Sequence, residues 1–160
     1  MPEAKNVATL SRIERVRRML EEDGDDRSIV SADAVSYAPW DRVKSTGGKA
    51  ERGIVDRAFS TAQITVIEAY EQGNTVVVRW RLRGKWSGAI PSIPIKPTGK
   101  DIDITGTNTY RFVGDKIVEK TGEFDVAALH ADACERVNPA DCVEALNVLA
   151  TRVNPAVIVR

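Results

Sequence analysis

The chain has 160 residues, and its 42% apolar content is enough to bury one core without metal or disulfide staples, so a single domain over residues 1–160 is expected. Its 23 basic and 23 acidic residues cancel, which leaves no global field to draw it to nucleic acid or an anionic membrane surface. The start, Met1 to Lys5, is polar, and no apolar run approaches the roughly 18 residues that span a bilayer, so a soluble, cytoplasmic protein is expected. With one histidine and two cysteines, Cys134 and Cys142, that lack paired zinc spacing, no metal site is expected.

The first element is an amphipathic helix from Ser11 to Glu22. Leu10, Ile13, Val16, Met19 and Leu20 share one face, and Ser11 and Glu14 have capping-box spacing. Gly24 in an Asp-rich run ends it. Residues Ile29 to Tyr37 read as a first strand that stops at a loop containing Pro39 and Trp40. After a connector at Thr46 to Lys49, residues Ala50 to Ser60 have helical spacing in Ile54, Val55, Ala58 and Phe59. Ala62 to Tyr70, rich in β-branched residues, reads as a strand, and Glu71 to Asn74 as the hairpin turn after it.

The strand from Thr75 to Arg83 alternates strictly, with Val76, Val78, Trp80 and Leu82 on one side and Val77, Arg79, Arg81 and Arg83 on the other. A proline-rich loop, Ile90 to Gly99, carries too many isoleucines for a purely solvated connection and is a candidate lid or interface. Lys100 to Phe112 then alternates again, placing Ile102, Ile104, Gly106, Asn108, Tyr110 and Phe112 on one face. A two-residue turn at Gly114 and Asp115, with regular pairing, sets Phe112 opposite Ile117, Tyr110 opposite Glu119 and Asn108 opposite Thr121. On that register Glu119, Thr121 and, absent a bulge, Glu123 face inward. The outer face has Arg79, Arg81 and Arg83 near Asp101 and Asp103, a pattern of cross-strand ion pairs. An oligonucleotide surface would interleave aromatics with those arginines, but Trp80 points the other way.

The run Val76 to Gly84, the step Pro97 to Lys100, Tyr110 to Phe112, and Gly114 to Glu119 through Phe124 and Asp125 together resemble the SnoaL-like polyketide cyclase family, in order and spacing, over about half the chain. The resemblance implies an α+β fold, the nuclear transport factor two-like cone. In it a curved, mostly antiparallel sheet wraps around a pocket closed by N-terminal helices. Residues 1–130 would form the cone and 131–160 an added helical extension that covers the sheet or crosses to a second copy. The family also implies a homodimer, a small-molecule substrate, and aldol chemistry by a histidine and an aspartate without metal or organic cofactor. Here Asn108 stands at the histidine position, and Thr121 or Gly122 at that of the aspartate; Thr121 also replaces a tryptophan common in relatives.

The remaining inward groups supply the candidate site. A carboxylate in a partly apolar cavity has its charged form disfavoured, which suits Glu119 or Glu123 to general acid–base work, with Asn108 and Tyr110 holding a carbonyl or enolate oxygen. The alternatives for Glu119 are a buried structural hydrogen bond to Tyr110 or an edge position in water. Asp125 matches a recurrent family aspartate and equally suits capping a helix from Val126 to Val137. Trp80, Tyr37, Trp40, Phe112 and Ile104 are the candidate substrate-lining residues, with core packing as the alternative. His130, beyond the sheet, is read as a helix-packing or surface residue. The reading is a cofactor-independent cyclase or isomerase of a polyketide-like carbonyl compound, with an epoxide hydrolase of the same fold or a noncatalytic binding protein as alternatives.

Overall fold

The computed structural model describes residues 10–22, 28–38, 41–44, 55–90, 96–125 and 128–129. Trp40, the connector at 46–49, most of the proline-rich loop, His130, both cysteines and the expected C-terminal extension lie outside the described residues. Among the described residues the principal elements are the helix α1 (Arg12–Glu21) and the strands β1 (Val30–Ala38), β2 (Asp41–Lys44), β3 (Phe59–Gln72), β4 (Thr75–Trp86), β5 (Asp101–Val113) and β6 (Lys116–Phe124). They form one sheet in the order β2-β1-β6-β5-β4-β3, antiparallel except where β1 runs parallel to β6. No described helix is long and apolar enough to cross a membrane.

Helix α1 begins where the sequence predicts. The Ser11 hydroxyl accepts from the Glu14 N–H at 3.2 Å, and the Glu14 carboxylate accepts from the Ser11 N–H at 2.8 Å, so two otherwise orphaned groups satisfy each other. Val16 and Leu20 are buried against the sheet, and Glu21 accepts from the Val66 N–H of β3 at 2.7 Å. One side chain of α1 ties the sheet's turns together. Arg12 donates to the Gly73 and Gly114 carbonyls, each at 2.9 Å, and its guanidinium lies 5.0 Å from the centre of the Phe112 ring. Gly73 (φ +57°) and Gly114 (φ +58°) hold the left-handed backbone that the β3–β4 and β5–β6 turns require, so one arginine clasps both hairpins.

Strands β4 and β5 pair as their alternation predicts, burying Val76, Val78, Leu82, Ile102, Ile104, Tyr110 and Phe112 on the inner face. The other strands depart from expectation in three places. Residues 41–44 form β2, where the sequence reading ends β1 in a loop. The segment expected to be helical to Ser60 is helical at 55–58 and becomes β3 at Phe59, because Phe59 pairs with Trp86 and both are buried. Most consequentially, the β5–β6 register slips by one. Phe112 pairs with Ile117 as expected, but Arg111 then pairs with Glu119, leaving Val118 as an extra residue in a β-bulge.

The bulge has a physical reason in β6 itself. Ile117 and Phe124 are seven residues apart, an odd spacing, so unbroken alternation cannot turn both toward the core. With Val118 as the extra residue, Ile117 is buried at 2% exposure and Phe124 reaches Trp80 with ring centres 6.4 Å apart. The same slip sends Glu119 and Glu123 outward, avoiding the cost of burying two carboxylates, and Glu119 accepts from Arg111 at 3.0 Å.

On the outer face Arg81 forms a two-pronged pair with Asp103, Arg83 reaches the same carboxylate at 3.2 Å, and Arg79 pairs with Glu68 at 3.4 Å. The Arg81 hydrogen bonds hold the Asp103 carboxyl below the usual carboxylate range, with Arg83 adding to the effect. A depressed native pKa contributes stability that is present above the unfolded value, about 3.9, and is lost as pH falls through the lower native one. Asp103→Asn is therefore expected to flatten the acid limb of the stability curve below about pH 4, measured by urea denaturation at stepped pH; a limb as steep as the wild type's would refute the assignment. Arg12→Ala is expected to cost about 2 kcal/mol in the same assay, with Arg12→Lys recovering only part of it because lysine lacks the fork that reaches both turns. An unchanged midpoint for Arg12→Ala would show that the turns hold without the clasp.

Candidate functional site

The inner face is best read as rows of residues opposed across the strands. Val76, Tyr110 and Lys120 form one row across β4, β5 and β6, and Ser36 of β1 extends it as the partner of Lys120. Val78, Asn108 and Gly122 form the next; Trp80, Gly106 and Phe124 the third. Beyond them Leu82 and Ile104 close the face with aliphatic bulk. Successive rows are roughly 7 Å apart along the strands, so the three span the length of a small ring system.

Asn108 and Tyr110 are the two polar side chains most deeply placed, 4% and 1% exposed. The Asn108 amide donates to the Tyr110 hydroxyl oxygen at 2.8 Å. Being two apart on one strand they share a face. Two glycines shape the space around them. A Cβ at Gly106 would lie 2.3 Å from Cζ2 of Trp80, so only glycine lets the indole lie across β5 there. A Cβ at Gly122 would lie 2.9 Å from Asn108 Oδ1, 3.3 Å from Lys120 Cε and 3.6 Å from its Nζ. The missing side chain is the space through which the Lys120 stem runs, from its own row toward Asn108.

Trp80 keeps its place on the inner face but not a hydrogen bond: its indole N–H is buried without a partner. A buried donor left unsatisfied costs about 1–3 kcal/mol, a cost that an acceptor atom on a bound molecule would remove. Between β4 and β1 the three rows hold no carboxylate among the described residues. On the edge strand β3, Glu71 extends the first row opposite Val76 and is paired with Arg12 at 3.5 Å.

The structure therefore brings together four of the sequence-predicted residues, Asn108, Tyr110, Trp80 and Phe112, with Ile104 beyond them in the wall. It corrects three others. Glu119 and Glu123, expected inside as acid–base groups, are on the outer face because of the bulge at Val118, Glu119 in its ion pair with Arg111 and Glu123 exposed. Tyr37 pairs with Thr121, which is exposed, and lies on the outer side near Arg111 rather than in the lining. Asp125 is exposed and accepts from the Ala128 N–H at 2.9 Å, the cap of the helical residues that follow. Trp40 lies outside the described residues. Sequence reasoning did not name Lys120, Ser36 or Phe124 among the site residues, and the signal that would have found Lys120 and Phe124 is the odd spacing from Ile117 to Phe124.

An open hollow of about 420 Å³ lies at the end of β3, β4 and β5, lined by Thr61, Gln63, Arg83, Gly84, Asp101, Ile102 and Asp103. Arg83 and Asp103 there are engaged with each other, and the hollow shares no residue with the polar rows of the inner face.

Comparison with solved structures finds the same curved sheet. A candidate SnoaL-like polyketide cyclase from Jannaschia sp. CCS1 is 20% identical, covers 79% of this chain and 93% of its own, and superposes with a TM-score of 0.66. A Catenulispora acidiphila protein with a ketosteroid isomerase-like fold, solved with trimethylamine, is 15% identical over 82% of this chain and 95% of its own, with a TM-score of 0.60. AclR, a candidate hydroxylase from Streptomyces galilaeus, is 22% identical over 69% and 81%, with a TM-score of 0.55. At these identities the likeness establishes the nuclear transport factor two-like fold alone. None of the curated proteins matches. The profile of SnoaL-like polyketide cyclases matches residues 27–133, from just before β1 past the end of β6, and the chain belongs to that family.

Proposed function

We propose that the inner face binds a small, largely apolar carbonyl compound and promotes its cyclisation or isomerisation through an enolate, using its own side chains. The observation that carries this reading is the buried Asn108–Tyr110 pair, a polar donor set inside walls made by Val76, Val78, Trp80, Ile104 and Phe112. A hydroxyl donor fixed in an apolar setting is worth more to a developing oxyanion than the same donor in water, because the site is already oriented and its dielectric is low. The substrate suited to it is a 1,3-dicarbonyl of polyketide type. Its α-hydrogen is acidic enough to leave to water, the C–H electron pair becomes the enolate double bond, and the displaced π pair rests on the oxygen held by Tyr110. Return of a proton at another carbon gives isomerisation, and attack of the enolate carbon on a second carbonyl gives ring closure.

That the central rows hold no carboxylate among the described residues favours one rival, a noncatalytic binding protein with the same ligand. Deuterium wash-in separates the two. With a 1,3-diketone such as 1-phenylbutane-1,3-dione in heavy water, wild-type protein is expected to accelerate exchange at the central carbon above buffer. Tyr110→Phe is expected to lower that rate about 10²-fold, the usual loss when one oxyanion donor is removed, while retaining the fold. The double variant Asn108→Leu with Tyr110→Phe removes both partners of the buried bond and serves as the stable control. Binding with no acceleration would assign the binding role, and full activity in Tyr110→Phe would overturn the enolate reading.

A further inference from the structure

We infer that the open hollow at the end of β3, β4 and β5 binds the head of a free α-amino acid, its ammonium and carboxylate together. The volume, about 420 Å³, lies within the roughly 300–1,000 Å³ of small-molecule sites. A bulge in β3 shapes it. Ser60 pairs with Lys85 and Gln63 with Arg83, so Thr61 and Ala62 together stand opposite Gly84. A Cβ at Gly84 would lie 3.2 Å from both Ala62 Cα and the Ser60 carbonyl oxygen, so glycine lets the bulge press close. Thr61 takes a φ of +56°, whereas the other described residues in that left-handed region, Gly73, Gly99 and Gly114, are all glycines. A β-branched residue is strained there, and strain of this kind collects at ligand sites. The Thr61 hydroxyl gives its hydrogen to the Ser60 carbonyl at 2.6 Å, which leaves its oxygen as an acceptor at the hollow.

The charges around the hollow are not all spent on one another. Asp103 is saturated, with two bonds from Arg81 and one from Arg83. Arg83 gives it only Nε, at 3.2 Å, so the terminal nitrogens of a side chain 58% exposed have no hydrogen-bond partner among the described residues. Asp101, on the same face two residues before Asp103, forms no ion pair among the described residues, although Lys85 stands directly opposite. Arg83 and Asp101 are diagonal neighbours across β4 and β5, a spacing of about 7–8 Å. Gln63, exposed and opposite Arg83, adds an amide. A fork of donors thus faces a carboxylate across the width of one small molecule. A ligand carboxylate can take both prongs of the fork, and an ammonium on the adjacent carbon meets Asp101 and the acceptor oxygens of Thr61 and Gln63. A lone anion would be repelled by Asp101 and a lone cation by Arg83, so the pair favours a zwitterion over either. The hollow shares no residue with the rows of the inner face, so the amino acid is a second ligand there and not the substrate.

The probes are L-alanine, N-acetyl-L-alanine, which lacks the cation, and L-alaninamide, which lacks the anion. Each is titrated into the ¹⁵N-labelled full chain and followed at the backbone amides of Thr61, Gln63 and Gly84. Alanine is expected to move these signals saturably and to bind about tenfold more tightly than either derivative, with its affinity falling as salt is raised. Asp101→Asn is expected to bring alanine down to the affinity of N-acetylalanine. Arg83→Met is expected to bring it down to that of alaninamide, Asp103 keeping its two bonds from Arg81. Thr61→Gly is expected to raise the thermal midpoint, because glycine relaxes the left-handed backbone, and to weaken alanine binding by removing the hydroxyl acceptor. No saturable shift up to the solubility of alanine overturns the inference without any variant, as does equal affinity for the three probes. Alanine affinity unchanged in both Asp101→Asn and Arg83→Met overturns it as well.

Discussion

One unpaired residue, Val118, decides what the interior of this sheet is made of. Before it, β6 presents Ile117 to the core; after it, the strand presents Lys120, Gly122 and Phe124 and sends Glu119, Thr121 and Glu123 to the outside. The two possible registers differ in kind. One buries two carboxylates and exposes a phenylalanine, while the other buries the phenylalanine against Trp80 and places Glu119 beside Arg111 in water. Burying a large apolar side chain stabilises by about 2 kcal/mol, and burying an unpaired carboxylate costs more than that, so both terms favour the bulge. The neighbouring strand accommodates it: the β1–β6 register also shifts, between Val30 and Val35.

The rest of the scaffold keeps that register from slipping back. A hairpin slides only if its turn re-forms, and the Gly114 turn is held from outside the sheet by Arg12, which donates to its carbonyl and covers Phe112. The same guanidinium holds the Gly73 turn, and the Phe112 N–H donates to the Asn74 carbonyl at 2.8 Å, so the two hairpins are fixed to each other as well as to α1. On the outer face the ion pairs Arg81–Asp103, Arg83–Asp103 and Arg111–Glu119 each link one strand to the next. Individually such exposed pairs are weak, but a slip of β6 by one residue would turn Glu119 away from Arg111 to the inner face.

The sequence was informative where one period held throughout an element. Strands β4 and β5 alternate without interruption, so the inward placement of Val78, Trp80, Asn108 and Tyr110 and the outer arginine stripe could be read directly, as could the capped start of α1. It misled where a period was broken inside a strand. Glu119 has the look of an inward residue only if counting proceeds from the Gly114 turn without an extra residue, and Tyr37 only if β1 alternates in phase with that count. Neither error is visible locally, since Val118 has the β-branched character of any strand residue. It becomes visible when the whole of β6 is asked to bury both Ile117 and Phe124. The parallel pairing of β1 with β6 was out of reach for a different reason: it joins segments more than eighty residues apart, through contacts that no local pattern encodes.

The slip also changes what the interior can do chemically. Asn108 and Gly122 face each other across β5 and β6, and the family resemblance sets a histidine at Asn108 and an aspartate at Thr121 or Gly122. Neither present residue exchanges a proton at ordinary pH, so the pair cannot act as base and acid. What glycine at 122 provides is volume, and the Lys120 stem runs through it. Under the proposed function, such an interior suits a substrate that forms its enolate with ease better than one that gives up its proton reluctantly. The proposed function relies on the buried Asn108–Tyr110 pair and on apolar walls that keep water from competing for a developing oxyanion.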